Sequence, residues 1–272
     1  MAQVVSKNIC SGPNAPNNFM SNPQGISMID THINNQTGIL SISLNRPKVN
    51  AQNRVLLEAL ALAFEEASTN TQVKGILFKA EGKCFSAGLD LQEVLSLTEP
   101  ELVDFMKLFD RAYGAVYLCP KPVAVAINGH AIAGGAILTL MCDYIAFGRN
   151  PGKFGVTELA VGVPFPKIAF DAVYAALPLR ARRKMIYTAA LFNLSEVYDL
   201  GIGDSLTEHP EQDALHWLIK VTSFPLATFT HTKNQWRAKN QALASNKCPQ
   251  EHSVEEILTS DAVQNTLKSA LR

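Results

Sequence analysis

The chain has 272 residues, 47% hydrophobic and 18% charged, enough to bury a sizeable core and too apolar for global disorder. Lys plus Arg and Asp plus Glu stand at 24 each, so no bulk field draws nucleic acid or an anionic membrane to the surface. The five cysteines, Cys10, Cys84, Cys119, Cys142 and Cys248, are scattered and form no C-x-x-C pair, which argues against a disulfide framework and a zinc site.

Residues 1–27 carry five asparagines, three prolines, one lysine and no acid. That composition predicts a flexible N-terminal arm. The arm lacks the apolar region of a secretory signal and the arginines of a mitochondrial presequence. No apolar run reaches the roughly 18 residues of a membrane-spanning helix. A cytoplasmic location is therefore expected, with the acid-free start leaving an organellar one open.

From Met28 the chain becomes regular. Ile39-Leu40-Ser41-Ile42-Ser43-Leu44 alternates apolar and polar, as a half-buried strand does, and Asn45-Arg46-Pro47 ends it. Leu57, Leu60, Ala61, Phe64 and Ala67 mark one face of a helix from about Gln52 to Ser68. Ile76-Leu77-Phe78 is a short strand, followed by the loop Glu81 to Leu91. Thr98-Glu99-Pro100-Glu101 starts a helix that runs to about Tyr117. Pro122 to Ala126 reads as a buried strand, Ile137 to Cys142 as a buried helix, and Asp143 to Phe147 as another strand. Phe154-Gly155-Val156 is extended, and the chain from Lys167 onward reads as helical. Strands and helices alternating to about residue 160 imply parallel strands with right-handed crossovers. No internal repeat is apparent. Residues 28–206 form the expected core and residues 207–272 a helical C-terminal region.

Two turns follow buried strands and end in glycine: Ser86-Ala87-Gly88-Leu89 and Ala133-Gly134-Gly135. Side by side, they would aim the N–H groups of Leu89 and Gly134 at one oxygen and so form an oxyanion hole. The alternative is two ordinary strand–helix corners. A thioester carbonyl becoming an enolate suits such a hole, and its α-proton needs a base. Glu158, set in the apolar run Phe154 to Val163, is the best candidate, because burial would raise its pKa. A salt-bridged Glu158 at a helix start is the plainer reading. His130 and Asp143 read as structural. Ser86 lacks the G-x-S-x-G setting of a hydrolase nucleophile, and neither turn matches a nucleotide phosphate loop. Arg46, Lys83 and Lys233 are candidates for the phosphates of a large ligand, or else surface charges.

Phe85-Ser86-Ala87-Gly88-Leu89-Asp90-Leu91, Ala126-Ile127-Asn128-Gly129-His130-Ala131 through Gly134-Gly135, and Cys142-Asp143-Tyr144 together resemble the crotonase (enoyl-CoA hydratase/isomerase) superfamily. The resemblance implies an α/β fold, a spiral of ββα turns with two roughly perpendicular sheets and a C-terminal helical trimerisation region. It maps the oxyanion hole onto Leu89 and Gly134, and places the adenine of coenzyme A near Ser86 and Ala87. Asp90, Ile137, Lys83, Arg46 and Phe165 complete the expected substrate-binding set. Hydratases of the superfamily carry one Glu after the second glycine motif and another at the position of Glu158. Here the first position is Ile137. That single-glutamate pattern resembles the Δ3,Δ2-enoyl-CoA isomerases of fatty acid β-oxidation. The resemblance implies a homotrimer or a dimer of trimers, with neither metal nor redox cofactor, and coenzyme A as part of the substrate. Another acyl-CoA reaction on the same scaffold, hydration or thioester hydrolysis, and a non-catalytic acyl-CoA-binding trimer remain the alternatives.

Overall fold

The computed structural model describes residues 19–21, 27–244 and 253–271. Eleven strands are present among them: β1 (Phe19–Ser21), β2 (Ser27–Asn34), β3 (Ile39–Leu44), β4 (Gly75–Ala80), β5 (Cys84–Ser86), β6 (Val123–Ile127), β7 (His130–Ile132), β8 (Tyr144–Gly148), β9 (Lys153–Gly155), β10 (Phe192–Asn193) and β11 (Ser205–Thr207). They form a seven-stranded sheet in the order β1-β2-β3-β4-β6-β8-β11 and a four-stranded sheet in the order β10-β9-β7-β5. From β3 to β11 the large sheet is parallel.

The large and small sheets are fed alternately by the chain. Each of β4, β6 and β8 continues at once into a strand of the small sheet, β5, β7 and β9, and then into a helix. This is the expected ββα spiral. It is a structural repeat with no repeating sequence, because the three turns share only their alternation of buried strand and sharp corner. The helices closing the turns begin with α1 (Arg54–Thr69), α2 (Leu91–Ser96), α3 (Glu99–Tyr117), α4 (Gly134–Leu140) and α5 (Glu158–Val161). α6 (Lys167–Ala176), α7 (Leu179–Arg182), α8 (Leu194–Asp199), α9 (Pro210–Val221), α10 (Leu226–Ala244), α11 (Val254–Thr259) and α12 (Asp261–Ala270) follow.

β6 is buried along its whole length, as its unbroken apolar run requires. One face of the large sheet meets the main core with α1 and α3, whose buried residues include Leu57, Leu60, Phe64, Phe105 and Phe109. The other face, bearing Leu77, Ala124, Ala126 and Ala146, is covered by Ala214 and Leu218 of α9. α3 starts with the capping box expected at Thr98: the Thr98 N–H donates to Glu101 Oε2 at 2.8 Å.

Three departures stand out. The segment from Lys167 is not purely helical: β10 pairs antiparallel with β9, β11 pairs parallel with β8, and Arg183–Tyr187 forms a π-helical turn. Segments of two and three residues are too short to carry a visible period. β2 went unread because Asp30, Thr31 and His32 dilute its alternation. The arm expected over residues 1–27 lies mostly outside the described residues, but its Phe19–Ser21 pairs antiparallel with β2.

Candidate active site

A cavity of about 200 Å³ opens between the start of α4, α3, α5 and the end of α12. Its wall includes Leu89, Met106, Phe109, Gly134, Ile137 and Glu158. Glu158 is the one ionisable side chain among the lining residues.

The two glycine turns do lie against each other. β5 pairs with β7 and β7 with β9, so the corners that follow these strands emerge on one edge of the small sheet. Gly88 sits at φ +86°, and a methyl group built on it would lie 2.9 Å from Ala133 Cβ and 3.0 Å from the Gly134 nitrogen. Only a glycine permits this approach at this backbone angle. A Cβ on Gly135 would lie 2.2 Å from the Ser86 carbonyl oxygen, so α4 starts hard against the end of β5. Ala133, which connects β7 to α4, holds φ +50° and ψ −125°, a conformation that costs an L-residue about 1–3 kcal/mol. Its own N–H is fixed by the Gly155 carbonyl at 2.8 Å.

The Leu89 N–H is left free by its neighbours' bonding. Gln52 donates its N–H to the Gly88 carbonyl at 2.8 Å and accepts the Asp90 N–H at 3.0 Å, which brackets Leu89 without using it. Among the described residues neither the Leu89 nor the Gly134 N–H donates to a protein acceptor. Two unspent backbone donors at one cavity wall can receive a developing negative charge.

Glu158 opens α5 and is 5% exposed. Its Oε2 is buried with no hydrogen-bond partner. Burial pushes the carboxyl up to about 7, opposed by a bond from its own backbone N–H. No cation lies among the cavity residues to hold it ionised, so the salt-bridged alternative does not describe it. Gly162, at φ +74°, ends α5 in the left-handed conformation.

The other expected site residues are placed as follows. Ala87 and Ile137 line the cavity. Ser86 is 0% exposed, and its hydroxyl donates to the Asn50 carbonyl at 2.8 Å while accepting from Gln52 Nε2 at 3.1 Å and the Gly88 N–H at 3.2 Å. Its side chain is structural. Asp90 caps α2 by accepting from the Gln92 and Glu93 N–H groups and pairs with Arg46 at 2.6 Å, so these two charges hold the loop rather than face the cavity. Lys83 is exposed beside that loop, and His130 is exposed on β7. Phe165 lies edge-on to Phe170 with centroids 6.0 Å apart and leaves the cavity wall to Val163 and Pro166. Lys233, considered for a phosphate, is instead buried and ion-paired with Asp143. Asp143 also pairs with Arg237 at 2.9 Å and accepts the Val123 N–H at 2.9 Å, a structural role as expected, although the strand it fixes is β6 rather than the one that follows it. Met106, Phe109 and Ala270 were missed, since amphipathic spacing marks such residues only as core. Among the described residues no group of His, Cys, Asp and Glu is placed to hold a metal ion, and no helix is long and apolar enough to cross a membrane.

A family model described as enoyl-CoA hydratase/isomerase matches residues 34–269. The chain belongs to the enoyl-CoA hydratase/isomerase family. Mitochondrial enoyl-CoA delta isomerase 1 of Mus musculus is 24% identical over 238 residues, 86% of this chain and 81% of that protein. A probable enoyl-CoA hydratase of Mycobacterium bovis is 28% identical over 185 residues, 68% of this chain and 70% of that protein. The crystal structure of human mitochondrial Δ3-Δ2-enoyl-CoA isomerase superposes with a TM-score of 0.81 at 22% identity, covering 90% of this chain and 96% of that one. The fold is thus the crotonase fold of this family, and the protein is an enzyme of its hydratase/isomerase class.

Proposed function

We propose that the protein is a Δ3,Δ2-enoyl-CoA isomerase. The observation that carries the reading is the solitary carboxyl of Glu158 in an otherwise uncharged cavity beside two unspent N–H groups. Hydration in this family calls on two glutamates, and the first of the two positions here is Ile137, 2% exposed and part of the cavity wall. An aliphatic side chain can neither hold nor activate water.

The thioester oxygen of a 3-enoyl-CoA accepts from the Leu89 and Gly134 N–H groups. Glu158 takes a proton from C2, and the electrons of that C–H bond delocalise over C2, C1 and the thioester oxygen as a dienolate. The negative oxygen is stabilised by the two donors. The carboxyl then returns its proton to C4, where the C3–C4 π electrons form the new C–H bond, and the double bond is left between C2 and C3. One base serves both steps because C2 and C4 lie on one face of the acyl chain. The apolar wall of Met106, Phe109 and Val163 suits that chain.

Product analysis with a panel of 3-enoyl-CoA thioesters is the test. Conjugated 2-enoyl-CoA is the expected product, with slow hydration of crotonyl-CoA. Rapid hydration or release of free coenzyme A instead would overturn the assignment, and binding without turnover would favour the non-catalytic alternative. A homotrimer is proposed as well, on the exposed Ile219, Phe224, Leu226 and Trp236 of the C-terminal helices. The mass in solution tests it.

A further inference from the structure

Tyr113 is 0% exposed on α3, and the proposed chemistry leaves it without a part. Its ring stacks on Phe109 with centroids 3.8 Å apart, and Phe109 in turn lines the cavity. A phenylalanine would fill the same space equally well. The hydroxyl is what needs explaining, because a buried hydroxyl costs free energy unless it is bonded.

That hydroxyl reaches both halves of the site. It donates to Gln52 Oε1 at 2.6 Å and lies 3.0 Å from the Gly134 carbonyl oxygen. The Gln52 side chain passes the connection on, donating from Nε2 to Ser86 Oγ at 3.1 Å. The Gln52 main chain bonds on either side of Leu89, to the Gly88 carbonyl and from the Asp90 N–H. One phenol therefore touches the residue that carries one free N–H and grips the residue that brackets the other. It also dictates the glycine at 134, where a Cβ would lie 2.4 Å from the Tyr113 oxygen and 2.8 Å from Gln52 Oε1.

We propose that Tyr113, acting through Gln52, is a positioning residue that sets the distance and angle between the Leu89 and Gly134 N–H groups. The proposal rests on reading those groups as the acceptors of the thioester oxygen. Such donors work only within about 2.7–3.1 Å of the developing charge, so a small drift of either turn is felt in rate before it is felt in binding. Burial, and secondarily the nearby Glu158 carboxylate, hold the phenol well above its ordinary pKa. Tyr113 therefore remains a protonated donor across the working pH range.

The test compares wild type with Y113F and Q52M, each checked for an unchanged melting curve. Steady-state kinetics on a 3-enoyl-CoA are paired with the 13C shift of hexanoyl-CoA labelled at C1, bound to the same proteins. The expected result is a fall in kcat of about tenfold or more with KM within about threefold, and a bound carbonyl shift that moves back toward its value in free solution. The double variant should lose little beyond either single one, because the two residues act as one unit. Wild-type kcat and wild-type carbonyl shift in both folded variants would overturn the proposal. So would a loss of activity that tracks melting temperature while the carbonyl shift stays put. Should Y113F fail to fold, Q52M carries the same decision. Absence of isomerase activity in the wild-type protein would end the functional reading alone, since the carbonyl shift of hexanoyl-CoA still decides whether the strut polarises the thioester.

Discussion

Gly88 and Gly134 meet so closely that a methyl group on the first would lie 3.0 Å from the nitrogen of the second. Gly88→Ala therefore has two costs. Its φ of +86° disfavours an L-residue by about 1–2 kcal/mol, and the methyl pushes Ala133 and the Gly134 N–H away from the cavity. The expected outcome is a folded protein with a lowered melting temperature and a kcat reduced by about 10²–10³, the loss seen when one oxyanion donor is removed. Steady-state turnover of a 3-enoyl-CoA measures it. A variant that loses stability but keeps its turnover would separate this contact from the chemistry.

Glu158→Gln removes the proposed base and keeps the shape. The amide fills the same volume but cannot take a proton at C2, so kcat should fall by about 10²–10⁴, while acyl-CoA still binds with near-wild-type affinity. Turnover and calorimetric titration with a saturated acyl-CoA check the two halves. For the proposed proton abstraction the wild-type carboxyl must be ionised. With its pKa raised to about 7, kcat/KM should rise with pH through an apparent pKa near that value and level off above it.

The same carboxyl makes stability depend on pH. Its folded pKa, about 7, lies above the ordinary 4.5, so between these values the native state holds a proton that the unfolded chain has released. Stability therefore declines as pH rises from about 4.5 to about 7, by on the order of 3 kcal/mol if the whole shift is expressed. Glu158→Gln lacks this penalty. It should melt close to wild type at pH 5 and several degrees higher at pH 8, as thermal unfolding at the two pH values would record.

The parts of the proposed site that the sequence makes visible are unusual residues in short runs. A carboxylate inside Phe154 to Val163 and glycines directly after buried strands are conflicts with ordinary core composition, and such conflicts mark function. The supporting residues gave no such signal. Tyr113 occupies a core position of an amphipathic helix, and its sequence spacing is identical whether its hydroxyl is bonded or merely tolerated. Gln52 read as the first residue of α1, whereas Asn53 caps that helix with its side chain on the Leu56 N–H at 2.9 Å and leaves Gln52 to pair with the loop. The pairing of the charges was hidden for a related reason. Arg46, Asp90 and Lys233 have partners 44 or 90 residues away in the chain, and pairing at that range depends on the fold rather than on spacing.

Asp143 supports a prediction that has nothing to do with catalysis. Its carboxylate answers two cations at once, Lys233 and Arg237, whose side chains are 5% and 8% exposed, and it fixes the start of β6 through the Val123 N–H. These bonds tie α10 to the large sheet. Asp143→Ala would leave two buried positive charges facing each other and one β6 N–H without its acceptor. Breaking a buried pair by removing one partner typically costs about 3–5 kcal/mol, so a fall in melting temperature of roughly ten degrees is expected. Lys233→Met should cost much less, because Arg237 still pairs with Asp143 and an apolar chain of similar length fills the space. Thermal unfolding of the two variants side by side decides the matter, and equal losses would mean that α10 is held by packing rather than by charge.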